Sequence, residues 1–235
     1  MNNLRQIFLA LSMYVQDYDD FFVYTFPGGY DTGGLLWNYN TYYPLGLLLQ
    51  GYSITGKGKY IEKPDVLVCV SRKIGPGQIK VTVSHIKSGF EKQNRYAYST
   101  YVLNPMIYSN IWWVPVSLQP RGKFSRASRI GLIAICDGVN LASDLYAVIP
   151  HPEKTKTIHP YDGRARFYPE GINVVFFSGG AKWFPNRIRT TGYRYFDYDP
   201  TGGSLQNTYK FTTATGSGTY SVFYFWGQWT DRTIP

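Results

Sequence analysis

Cysteine and histidine are scarce in this sequence: 235 residues carry two Cys and three His. Cys69 and Cys136 cannot make a structural zinc site unaided, and no histidine sits at ligand spacing beside either. Both lie inside apolar runs, VLVCVS and IGLIAICDG, which leaves two readings open: a pair of buried thiols, or one disulfide between neighbouring strands. Acidic residues are also few, 15 against 24 Lys and Arg, for a net charge of +9. Excess base points to nucleic acid only where it is clustered. Here it is scattered, the densest groups being Arg126 with Arg129, Lys154 with Lys156, and Arg187, Arg189 and Arg194. A solvated cationic surface is the reading, with no nucleic-acid partner. No apolar run reaches the roughly 18 residues of a membrane span, and no basic-then-apolar leader precedes the first helical segment.

Catalytic motifs are missing too. There is no G-x-S-x-G elbow, P-loop or H-E-x-x-H. GYDTGG contains one Asp-Thr-Gly at Asp31, but no second copy supplies the partner carboxylate that aspartic-protease chemistry needs. His85 alternates into a strand-like run and reads as a sheet residue. His151 and His159 bracket HPEKTKTIHP, where Glu153 or Asp162 would complete a metal set, yet loop histidines beside prolines read more simply as solvated. The acids of DYDD lack the glycine and ligand spacing of a calcium loop and read as a helix stop. No catalytic, cofactor-binding or metal-ligating residues are expected, and no cofactor. An enzyme is not the expected class.

What the sequence does have is aromatic residues, 18% of the chain, with 24 Gly and 14 Pro, a composition that favours strands and turns over long helices. One segment departs from that. Leu4, Ile7, Phe8, Leu11, Tyr14 and Val15 recur at helical spacing and predict an amphipathic helix from Asn2 to about Gln16, stopped by Asp17, Asp19 and Asp20. Leu45 to Leu49 predicts a helical turn packing on that helix. Strands are predicted at Val66–Ser71, Ile79–His85, Tyr96–Leu103, Ile130–Cys136, Ile172–Phe177, Tyr209–Thr213 and Tyr220–Trp226, the last two as a hairpin about ATGSG. Connections without intervening helices imply antiparallel pairing. The expected fold class is α+β: an N-terminal amphipathic helix on a mainly antiparallel β-sheet with long loops. One domain over residues 1–235 is expected.

Trp112, Trp113, Tyr224, Trp226 and Trp229 gather in NIWWVP and FYFWGQW. Flat rings stack on sugars, which makes surface glycans a second class of partner, but Trp and Tyr also fill cores and subunit interfaces. The interface reading is the one adopted for these five.

MNNLRQIFLALSMYVQDYDD resembles the segment after the apolar stem in bacterial prepilin-type, pseudopilin-like proteins, whose usual wording is close to NLKQIGLALHMYANDYDGYFP. Further patches follow in that family's order. VLVCVS is similar to its Cys-Pro-Ser strand, with Val70 in place of the proline. YSTYVLN is similar to its Ser-Tyr-x-x-Asn, and ASRIGLIAICDG to its strand running into an Asp. FYPEGINVVFFSGGAKWFP is similar to its late block His-x-x-Gly-x-Asn-Val-Leu-Phe-x-Asp-Gly-His-Val. There the family's His falls at Tyr168, its Asp at Ser178 and its second His at Gly180; Gly171, Asn173, Gly179 and the apolar run Val174 to Phe177 are kept.

The resemblance implies a pilin-like head: residues 1–20 a stem-helix remnant, 21–184 the head, and 185–235 an added aromatic β-hairpin region. It implies a structural subunit of a secreted or cell-surface pilus, pseudopilus or related filament. The partners are then copies of itself, with membrane contact only through a stem removed before Met1. Association is expected through the helix face Leu4, Ile7, Phe8, Leu11 and Val15 and through the five aromatics.

Overall fold

The computed structural model describes residues 1–21, 35–38, 41–43, 45–69, 71–74, 81–92, 97–104, 123–137, 148–151, 154, 157–158, 165–166, 170–185 and 230–233. Chain order runs α1 (Asn2–Asp17), β1 (Leu35–Asn38), β2 (Thr41–Tyr42), a 3-10 turn (Gly46–Leu49), α2 (Tyr52–Thr55), a second 3-10 turn (Pro64–Leu67), β3 (Arg72–Ile74) and α3 (Val83–Glu91). Then follow β4 (Ala97–Tyr98), β5 (Tyr101–Leu103), α4 (Phe124–Ile130), β6 (Ile133–Asp137), β7 (Val148–Pro150), β8 (Thr157–Ile158), β9 (Ala165–Arg166), β10 (Gly171–Phe176) and β11 (Ala181–Pro185). The architecture mixes helix with antiparallel sheet, as the α+β expectation requires.

The central sheet has the order β11-β10-β6-β5 and is antiparallel throughout. Its middle strands read GINVVF and IAICD and are buried at every residue, so their apolar runs need no alternation. A smaller sheet orders β2-β1-β4, and two strand pairs, β3 with β7 and β8 with β9, stand apart from both.

α1 lies across β6 and β10 and against the two 3-10 turns. Leu4, Ile7, Ala10, Leu11, Tyr14 and Val15 are all buried, the one-sided spacing turned to the core. Phe8 is half-buried, its ring centroid 5.8 Å from that of Phe124. The face expected to associate with other copies is therefore placed inside the chain's own core: Leu4, Ile7, Leu11 and Val15 share one apolar cluster with Leu48, Ile135, Val175 and Phe177. Helical burial of this kind stabilises a segment that propensity alone would not hold. The Leu45–Leu49 turn packs on α1 as expected.

The acidic stop is built into the fold. Asp19 and Asp20 take positive φ, 52° and 69°, a conformation that Asp tolerates better than most side chains. Asp17 accepts from Lys59 Nζ at 2.8 Å and from the Tyr60 hydroxyl at 2.7 Å. The Asp20 carboxylate accepts from the backbone N–H of Ser125 at 2.9 Å and from the Ser125 hydroxyl. That contact ties the end of α1 to the first turn of α4, where a carboxylate satisfies an otherwise orphaned helical donor.

Four strand expectations need correction. Tyr96–Leu103 is not one strand: β4 pairs with β1 and β5 with β6, parted at Ser99 and Thr100, where the Ser99 hydroxyl and the Thr100 N–H both donate to the Leu67 carbonyl. The described residues of Val66–Ser71 form no strand: Pro64 opens a 3-10 turn that runs to Leu67, and its preset φ favours the first helical position. Within Ile79–His85, the part described from Val81 starts a helix. Thr82 caps α3 by accepting from the His85 N–H at 3.1 Å, and Ile86 and Phe90 turn inward at i, i+4 spacing. His85 is thus a helical residue, not a sheet residue. Ile130 closes α4, and strand β6 starts at Ile133 after Gly131 takes φ +75°. The predicted strands at Tyr209–Thr213 and Tyr220–Trp226 lie outside the described residues.

Candidate functional site

Polar groups converge at one end of the β10–β6–β5 ladder. Asp137, the last residue of β6, is buried and stands opposite Tyr101 on β5. Asn173 on β10 donates twice to its carboxylate: the backbone N–H to Oδ1 at 2.7 Å and Nδ2 to Oδ2 at 2.7 Å. His151, directly after β7, brings Nε2 to 2.8 Å from the same Oδ2 and 2.7 Å from Asn173 Nδ2. His151 adopts φ +41°; its N–H donates to the Ser71 carbonyl and its own carbonyl accepts from Glu170 N–H. Those two backbone bonds hold it in a conformation L side chains rarely adopt.

Cys69 completes the group. One ligating atom each from Cys69, Asp137 and His151 lie within 4.8 Å of one another. The segment carrying Cys69 is fixed from behind: its N–H donates to Thr100 Oγ1, the Ser99 hydroxyl donates to the Leu67 carbonyl at 3.0 Å, and Asn3 Nδ2 donates to the Val68 carbonyl at 3.3 Å. The first turn of α1 thus reaches the back of the site. Tyr101 lines it as well. Burial first, then the adjacent Cys69, pushes its hydroxyl well above the ordinary tyrosine range, against a hydrogen bond with Asn3.

The site's outer wall is aromatic. Trp183 on β11 pairs with Asn173 in register, and its indole meets the His151 ring edge-on at 5.1 Å. Gly171 makes that possible, since a Cβ there would sit 2.5 Å from the Trp183 ring. The His151 side chain keeps 23% exposure and Asp137 only 2%, so the cluster opens to solvent on the histidine side.

Cys69 and Cys136 are both buried thiols and no disulfide joins them, which decides between the two readings the sequence left open. Cys136 sits on β6 beside Val102 and Val174, and burial followed by the Asp137 carboxylate pushes its thiol well up. Trp112, Trp113, Tyr224, Trp226 and Trp229 lie outside the described residues, as do Glu153, His159, Asp162 and Tyr168. Ser178, which stands where the resembling family has Asp, donates to the Asp231 carboxylate at 2.7 Å, while Lys182 donates to the Asp231 carbonyl. An acid, Asp231, thus sits beside that turn.

No spacing in the sequence joins Cys69 with His151, whose sequence neighbours for a metal set are Glu153, His159 and Asp162. Two signals were present: Asp137 and Asn173 are polar residues inside otherwise apolar strands, and buried polar groups require partners. Comparison of the chain with protein-family models, with curated proteins and with solved structures finds no match.

Proposed function

We infer that this chain is a structural surface subunit, the head of a pilin-like or pseudopilin-like filament protein that associates with copies of itself. The observation that carries the reading is the placement of α1, an N-terminal amphipathic helix seated along an antiparallel sheet. It agrees with the sequence resemblance of the first twenty residues and of the GINVVFFSGG block, now strand β10 and its turn into β11.

With the inward face of α1 committed to the core, association falls to the outward face. Leu9 is 63% exposed and Met13 46%, one helical turn apart. Burying the surface these two side chains still expose contributes roughly 1–1.5 kcal/mol each in area terms, about half the value for a fully exposed side chain. Leu9→Asp with Met13→Asp places charge in that contact without touching the core. Sedimentation of wild-type protein is expected to show concentration-dependent assembly that the double variant loses. Unchanged sedimentation of a folded double variant refutes this route of association.

A further inference from the structure

We propose that Cys69, Asp137, His151 and Asn173 form a binding site for one divalent cation of the zinc class. Asp137 Oδ2, His151 Nε2 and Asn173 Nδ2 make a triangle with edges of 2.7, 2.7 and 2.8 Å. With Asp137 ionised, protons alone do not satisfy it. If His151 Nε2 carries a proton and donates to Asp137, it confronts the Asn173 amide donor at 2.7 Å. If Nε2 is bare and accepts from Asn173, its lone pair faces the carboxylate at 2.8 Å. One edge is repulsive either way, and the Asp137 corner is a buried carboxylate.

A cation removes the conflict. With Nε2 deprotonated and the Asn173 amide turned to present Oδ1, all three corners become ligands; amide orientation is set by its neighbours. Ligands at about 2.05 Å from a metal and at right angles stand about 2.9 Å apart, close to the edges observed. The three atoms thus match one face of a coordination polyhedron. Cys69 Sγ supplies a further ligand from within the same 4.8 Å group. In the same right-angled arrangement thiolate and imidazole stand about 3.1 Å apart, so Cys69 Sγ moves inward by side-chain rotation from within that group. Cys69 binds as thiolate and releases its proton to solvent.

The surroundings suit a resident ion. Asn173 N–H occupies Asp137 Oδ1, so Oδ2 is the oxygen left facing the group. A thiolate with imidazole selects zinc-class cations over magnesium or calcium, which prefer all-oxygen shells. The four ligands come from four separate places in the chain, so an ion there would pin together β6, β10, the end of β7 and the segment that follows the second 3-10 turn. This role is independent of how subunits assemble.

The test uses the full chain stripped with chelator and titrated with Co²⁺, then Zn²⁺. The expected result is one equivalent bound, a near-ultraviolet thiolate-to-cobalt band, displacement by Zn²⁺ and a raised melting temperature with Zn²⁺. Cys69→Ser loses the charge-transfer band. His151→Gln, at the partly exposed corner and checked for folding by circular dichroism, weakens binding about 100-fold or more. Absence of stoichiometric Co²⁺ or Zn²⁺ binding to the wild type overturns the proposal without recourse to any variant. So does binding that survives both substitutions. Rapid alkylation of native Cys69 that depends on His151 and is indifferent to Zn²⁺ also overturns it, assigning the group to nucleophile chemistry instead.

Discussion

Leu9 and Leu11 are the same residue two positions apart on one helix, and the fold gives them opposite roles. Leu11 is 1% exposed and packs in the main core cluster; Leu9 is 63% exposed. Replacing each with Ala keeps helix propensity nearly constant, since Leu and Ala both rank high. Leu11→Ala removes buried carbons and leaves a cavity between α1 and the sheet, a change that costs about 3 kcal/mol within a range of roughly 2–5. For a chain of this size each kcal/mol moves the melting temperature by about 2–4 °C, so the shift is about 6–12 °C. Leu9→Ala is a surface change and stays within about 0.5 kcal/mol. Urea unfolding followed by tryptophan fluorescence, alongside a thermal melt, measures both at low protein concentration, where association does not add stability. Equal effects of the two substitutions, or a negligible effect of Leu11→Ala, would refute the packing of α1 on its own head.

Further outcomes follow from single contacts. Gly131→Ala combines a positive φ with a Cβ placed 2.4 Å from the Asp231 carboxylate, so about 2 kcal/mol is lost in urea unfolding, part of it recovered by adding Asp231→Ala. The hydrogen bond from Lys59, then that from Tyr60, holds the Asp17 carboxyl below its usual range, so the pair contributes stability above the unfolded carboxylate pKa and loses it as pH falls through the lowered value. Asp17→Asn therefore lowers the melting temperature slightly at neutral pH, and the difference from wild type vanishes in strong acid; the pair is exposed, so the effect is small and fades with salt. Asn104 is buried; its backbone N–H donates to the Ala134 carbonyl and its Nδ2 to the Ile133 carbonyl, at 2.8 Å each, and Asn104→Ala removes only the second and leaves that carbonyl unpaired by it, at about 1–3 kcal/mol in urea unfolding. Alkylation in denaturant without reductant is expected to label both Cys69 and Cys136, read as two added groups by intact mass; an unlabelled pair contradicts the two thiols.

What the sequence made legible was local or continuous. The 3.6-residue period of α1 lies within one segment, and the helix ends at Asp17 against an expected Gln16. The runs of β6 and β10 are apolar enough to be buried on both faces, and both were found. α3 was missed because Val81, Thr82 and Val83 are β-branched and read as strand, while the Thr82 cap and the inward turn of Ile86 and Phe90 decide otherwise. α4 was missed because part of its support comes from Asp20, 105 residues earlier. The apolar face of α1 was read correctly, but periodicity does not say whether such a face meets its own sheet or another copy. The polar cluster stayed hidden for a similar reason. His151 lies 14 residues from Asp137, and Asn173 a further 22, so only strand pairing brings them together.

Subunit association through the outward face of α1 is tested most directly by placing a single reporter cysteine there. Both native thiols are buried, so Leu9→Cys provides one accessible thiol and Leu11→Cys a buried control. Assembled material treated with a short bismaleimide is predicted to yield covalent dimers through position 9 and none through position 11. Assembled material in which position 9 gives no dimers would contradict the account.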